Sequence, residues 1–149
     1  MSELNPTLIP VLMLVFASDV CGGVEPILVP GAVVRIHAEP CQPVRLAFGA
    51  SGELYAGNGG CGQGSTDPAW VWRVDAGGGG VSSFGTAMID DPDAVAVDWT
   101  GSMSGTPGTV LVGTYLGVVG ILPSRSIVPV LPDQGNVSRL VFDGRDQLY

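Results

Sequence analysis

The sequence predicts an all-β fold of short antiparallel strands, and three observations carry that reading. A strand motif recurs at Pro43–Gly57, Pro92–Gly101 and Ser138–Tyr149, with Phe48, Val97 and Phe142 in matching places 49 and then 45 residues apart. Within each copy apolar residues alternate with small or polar ones (Val44, Leu46, Phe48; Val95, Val97; Leu140, Phe142), the period of a strand. Past residue 43 no long run places apolar residues at helical spacing, and 23 Gly and 12 Pro among 149 residues oppose long helices. A repeat of this length built from short strands marks propeller blades. The expected architecture is a partial β-propeller: about two four-stranded antiparallel blades plus the start of a third.

The elements follow in order. The first strand of unit one, Pro43–Phe48, runs into a Gly- and Ser-rich turn and returns as Glu53–Gly57, so the pair reads as a hairpin. Trp70–Asp75 supplies a third strand, Gly77–Gly80 a turn, and Val81–Phe84 a fourth. Unit two repeats the plan with Pro92–Asp98, Thr109–Gly113, Leu116–Leu122 and Ser126–Leu131. The expected blades span 43–87 and 92–132, with 137–149 opening a third. A closed propeller takes about four to eight blades, so the chain is expected to be the N-terminal part of a longer protein. A ring closed between subunits and a short open array are the alternatives.

The N-terminus reads differently. Leu8–Ala17 is an apolar run of the length of a secretory h-region, too short to span a bilayer, and Ala17 suits a small-residue cleavage site. Met1–Thr7 holds Glu3 and no Lys or Arg, where a signal peptide carries positive charge. Residues 1–17 are expected to be a signal peptide and 18–42 a lead-in, which places the mature chain outside the cytoplasm, secreted or periplasmic; a buried strand is the alternative. Three cysteines, Cys21, Cys41 and Cys61, leave at least one without an internal partner, and no Cys-x-x-Cys spacing points to zinc. Cys41 with Cys61 is one disulfide pairing and Cys21 with Cys41 another. A lipid-attachment motif at Cys21 is opposed by Asp19.

Fourteen Asp and Glu against six basic residues give a formal net charge of −8. That balance disfavours nucleic acid and anionic membranes as partners. A hydrophobic fraction of 46% with 13% charged residues is that of a foldable chain.

The pattern Pro-x-x-Leu/Val-x-Phe/Val-Asp-x-x-Gly-x-Leu-Tyr is visible at 43–55, in part at 92–101, and at 137–149. On it, residues 43–149 resemble the NHL and SMP-30/gluconolactonase-like group of six-bladed, TolB-like propellers. The gluconolactonase side of that resemblance implies a divalent metal in the central channel, held by carboxylate and amide ligands from several blades. Here Glu39-Pro-Cys-Gln-Pro43 departs from the Gly-Glu-Gly-Pro type of lead-in common in that group, so no ligand is carried over.

Each conspicuous residue has a structural reading beside its chemical one. Asp90, Asp91 and Asp93 crowd the start of unit two, where carboxylates can hold a hard cation such as calcium or simply shape the loop. Asp98 and Asp143 recur at the end of the first strand, with Gly49 in the same place in unit one, a recurrence expected of a turn. Gly57–Gly62 matches Gly-x-Gly-x-x-Gly, but no helix follows to meet a pyrophosphate. His37, the sole histidine, has no Gly-x-Ser-x-Gly elbow to serve. Trp70 and Trp72 share a strand face and are expected to pack between blades. Asn136-Val-Ser138 is a formal glycosylation sequon.

No catalytic site emerges. The expected function is an exported binding or scaffold module contacting a protein, glycan or small molecule, and the alternative is a metal-dependent lactonase or hydrolase.

Overall fold

The computed structural model describes residues 13–14, 34–35, 43–58 and 68–149. Two short strands, β1 (Met13–Leu14) and β2 (Val34–Arg35), pair in parallel. The rest form two four-stranded antiparallel meanders. The first joins β3 (Pro43–Phe48), β4 (Leu54–Asn58), β5 (Pro68–Val74) and β6 (Val81–Asp90). The second joins β7 (Ala94–Asp98), β8 (Thr109–Thr114), β9 (Gly117–Ile121) and β10 (Ile127–Pro132). Residues 141–149 open a third hairpin, with mutual backbone bonds between Val141 and Tyr149 and a bridge from Phe142 to Leu148. Among the described residues there is no helix.

The blades stack face to face, with β3 alongside β7. Tyr55, Val71, Phe84 and Ile89 of blade one meet Val95, Val97, Val110, Val112 and Ile121 of blade two, and the Tyr55 and Phe84 rings lie 4.8 Å apart. Burying this apolar surface is the main force holding one blade on the next. β7 is buried along its whole length. β3, with a described blade on only one side, leaves Val44, Leu46 and Phe48 exposed.

One strand runs past its expected end. β6 reaches Asp90 because its pairing with β5 slips: Val71 faces Phe84 but Ala69 faces Ile89, so four residues of β6 oppose one of β5. Gly85, at φ 120°, allows that bulge. Gly85–Met88 carries no alternation, which is why the sequence ends the strand early. Trp70 and Trp72 flank Val71 on β5. Val71 joins the inter-blade core, so by strand geometry both indoles belong to the face turned away from blade two.

The repeat also gains a physical explanation at its second strand. A Cβ on Gly57 of β4 would run into the carbonyl oxygen of Pro92, and one on Gly113 of β8 into that of Val137. Pro92 and Val137 each lead into the next repeat. The two glycines therefore hold equivalent places, and each lets the chain entering the next blade lie against the previous one.

The first and third hairpins use the same turn with the carboxylate supplied from opposite sides. In the third, Asp143 Oδ1 accepts from the amides of Arg145 (2.8 Å) and Gln147 (3.0 Å). In the first, Gly49 takes the place of Asp143 and Glu53 that of Gln147: each pair is joined by a backbone bond, Gly49 N to Glu53 O and Asp143 N to Gln147 O. Glu53 Oε2 accepts from the Ser51 amide at 3.0 Å and from the Ser51 hydroxyl, and its side chain fills the space a Cβ on Gly49 would need. Gly49→Asp alone should cost about 1 kcal/mol, and adding Glu53→Gln should recover most of it, a coupling readable in a double-mutant cycle by urea unfolding. Additive losses would show that the two positions do not substitute for each other.

Candidate functional site

The segment Asp91-Pro92-Asp93 links β6 to β7 and sits at the end of the blades where β7 begins. Asp91 adopts a left-handed conformation (φ 49°) and its carbonyl accepts from Asp93 N at 2.8 Å, while the same amide also reaches Gly113 O at 3.2 Å. These bonds fold the link against β8. Asp91 is only 3% exposed, and its Oδ1 is buried without a hydrogen-bond partner. Burial pushes its carboxyl above the usual aspartate range, and the charge and hydrogen bonding of Asp93 add to the rise. Buried carboxylate oxygens are normally satisfied, so this one marks a place for a proton, a water or a cation.

Of the three aspartates singled out in the sequence, the structure brings Asp91 and Asp93 together and leaves Asp90 apart, exposed at the end of β6 where it pairs with Pro68. Among the described residues no three His, Cys, Asp or Glu side chains converge as a metal group would require. Asn58, 5% exposed, closes β4 opposite Pro43 of β3. Asn58 ends β4 as Thr114 ends β8, a match between repeats that the Gly-x-Gly-x-x-Gly spacing at 57–62 obscures. Thr114 Oγ1 donates to Gly117 O and accepts from Leu116 N, holding the two-residue turn that displays Tyr115 and Leu116. Cys21, Cys41, Cys61, His37, Glu39 and residues 59–62 lie outside the described residues.

Asp98 stands at the other end of β7 and has a different task. It is fully buried; Oδ1 accepts from Gly101 N at 3.0 Å, and Oδ2 from Met103 N (3.1 Å), Ser104 N (2.9 Å) and Ser104 Oγ (2.8 Å). Burial opposes its charge, but the Ser104 amide and hydroxyl with the Met103 and Gly101 amides outweigh it and hold the carboxyl below the usual range. Every one of these donors belongs to the loop that joins β7 to β8. Asp143 is likewise lowered, chiefly by the amides of Gln147 and Arg145. Both aspartates organise turns, as their recurrence implied.

No protein-family model matches the chain, and no curated protein does. Among solved structures it is similar to a gluconolactonase from Xanthomonas campestris, with a TM-score of 0.60 and 19% sequence identity. The likeness covers 84% of this chain and 42% of that one, so this chain spans less than half the length of the protein it matches. Taken with the two four-stranded meanders, it shows that the chain has the β-propeller fold.

Proposed function

We propose that the chain forms part of a propeller hydrolase in which a divalent cation at the channel end of β7 assists the opening of a lactone. One observation carries the reading: Asp91 Oδ1, buried and unpartnered, beside a second carboxylate on Asp93. Two neighbouring carboxylates with an unsatisfied oxygen are a donor set that fits a hard cation. The substrate class comes from the gluconolactonase whose fold the chain shares. A divalent cation bound there supplies Lewis-acid polarisation of a carbonyl and a more acidic bound water. Asp91 and Asp93 would hold it. The left-handed backbone at Asp91 and the buried Pro92 keep the two carboxyls in place.

A binding module is the second reading, favoured by the Tyr115–Leu116 turn, whose side chains are 55% and 63% exposed. Its partner would be a protein, glycan or small molecule. Extracytoplasmic location belongs to either reading and rests on Leu8–Ala17; a secreted product beginning at Ser18 by mass spectrometry is the expected result.

Calorimetric titration with Ca²⁺ and Mn²⁺, alongside hydrolysis of glucono-δ-lactone with and without chelator, tests the hydrolase. Asp91→Asn should weaken cation binding by about tenfold or more. The same substitution should raise stability in chelator by about 1 kcal/mol, because it removes a poorly satisfied buried charge. Equal cation affinity in wild type and Asp91→Asn would remove Asp91 from the site, and lactone hydrolysis indifferent to chelator would sink the metal-assisted reading.

A further inference from the structure

A cleft of about 310 Å³ opens between blades one and two at the end where Asp98 lies. It is separated from the Asp91–Asp93 pair by the length of β7, about 16 Å at strand rise. Its walls come from both blades and include Glu53, Tyr55, Arg73, Trp99, Pro123 and Arg125. Three features bear on what this cleft can hold.

The first is charge. The chain has no lysine and six arginines against a net charge of −8; Arg73 and Arg125 line this cleft, as Arg45 and Arg139 line another that lacks an aromatic wall. Neither the Arg73 nor the Arg125 guanidinium has an ion pair or hydrogen-bond partner among the described residues, and Arg73 Nε is buried without an acceptor. The one carboxylate in the lining, Glu53, accepts from Ser51 and from Tyr55 Oη at 3.3 Å and pairs with neither arginine, so the cleft keeps an excess of positive charge.

The second is backbone strain. Among the described residues four other than glycine have positive φ, and three are aspartates, a type that tolerates that region. The fourth is Arg125, at φ 72°, in the turn between β9 and β10. The matching turn of blade one has Gly78 and Gly79 in that conformation. A long side chain kept where glycine is cheaper points to a use for that side chain.

The third is the wall itself. Trp99 is 47% exposed and contributes to the lining with Pro123 and the buried Phe84, so a flat apolar surface stands beside the two cations.

From these we infer that the cleft is a binding site for a small organic carboxylate with a planar apolar body, the carboxylate held by Arg73 and Arg125 and the body lying on Trp99. Guanidinium groups recognise carboxylates through paired, charge-assisted bonds, and aromatic walls supply affinity for the remainder of the ligand. The site is independent of the proposed hydrolase, since it shares no residue with the Asp91–Asp93 end.

Calorimetric titration of the full chain with phenylacetate, and with its neutral isostere phenylacetamide, tests the site. Saturable one-to-one binding of phenylacetate is expected, with phenylacetamide weaker by about tenfold or more. Arg125→Gln, on an exposed turn where folding is not at stake, and Arg73→Gln should each weaken phenylacetate about tenfold, and Trp99→Leu should weaken both compounds alike. Equal affinity for the two compounds, no binding of either, or phenylacetate affinity unchanged in Arg125→Gln would overturn the assignment.

Discussion

Gly113→Ala is expected to destabilise the chain by about 3 kcal/mol, at the upper end of what overpacking costs. The added methyl would collide with the Val137 carbonyl oxygen and lie 2.8 Å from Ala94 Cβ. Both neighbours are backbone or stiff side chain, so neither can swing aside as a long rotamer does. Relief requires the lead-in to the third hairpin to move off β8, breaking the bond from Val137 N to Thr114 O at 2.9 Å. Urea unfolding should show the loss, and hydrogen exchange at the Val137 amide should show where it falls. Gly77→Ala is the control: nothing lies within 4 Å of its added Cβ, and a change within about 0.5 kcal/mol is expected. Equal midpoints for the two variants would mean that blade contact does not dictate the glycine.

Asp98→Ala should cost about 3 kcal/mol, because it strands three backbone amides and a hydroxyl around a buried carboxylate. Asp98→Asn should cost nearly as much. One of its two atoms becomes a donor, and on either rotamer that donor faces amides that also donate. The pH dependence follows from the direction of the shift. A carboxyl held below its ordinary value stabilises the fold at pH values above that of the unfolded group, and the contribution is lost as pH falls through the folded value. The chain should therefore lose stability below about pH 4, and the Asp98→Asn variant should show a shallower loss there. Acid titration of unfolding free energy for both proteins measures it; identical slopes would place the acid sensitivity in other carboxylates.

Much of the fold was legible because strand burial is a local property. Val95 and Val97, alternating with alanine, were enough to place β7, and the spacing of Phe48, Val97 and Phe142 was enough to count the repeats. Asp98 and Asp143 were legible as turn residues for the same reason: their donors lie within six residues in the chain. The end of β6 was not, because its bulge is set by the register of β5 across the sheet.

The candidate site was legible only in outline. Three aspartates in a row of four residues announce a feature of interest, but sequence proximity does not decide which carboxylates meet. Strand pairing carries Asp90 to an exposed edge, and the left-handed turn buries Asp91 next to Asp93. The arginine cleft gave no sign at all, since Arg73 and Arg125 lie in different blades and each looks like an ordinary surface residue.

The sequence by itself determined that this chain is built of four-stranded repeats and where their hairpins turn. Those properties follow from period-2 burial and from side chains bonding to their own loop. Tertiary structure alone decided why the second strand of each described blade carries a glycine and which charged groups are left without partners. The physical reason is that each depends on one blade lying against another or on one strand's register with its neighbour, and contacts between residues far apart in the chain leave no local pattern.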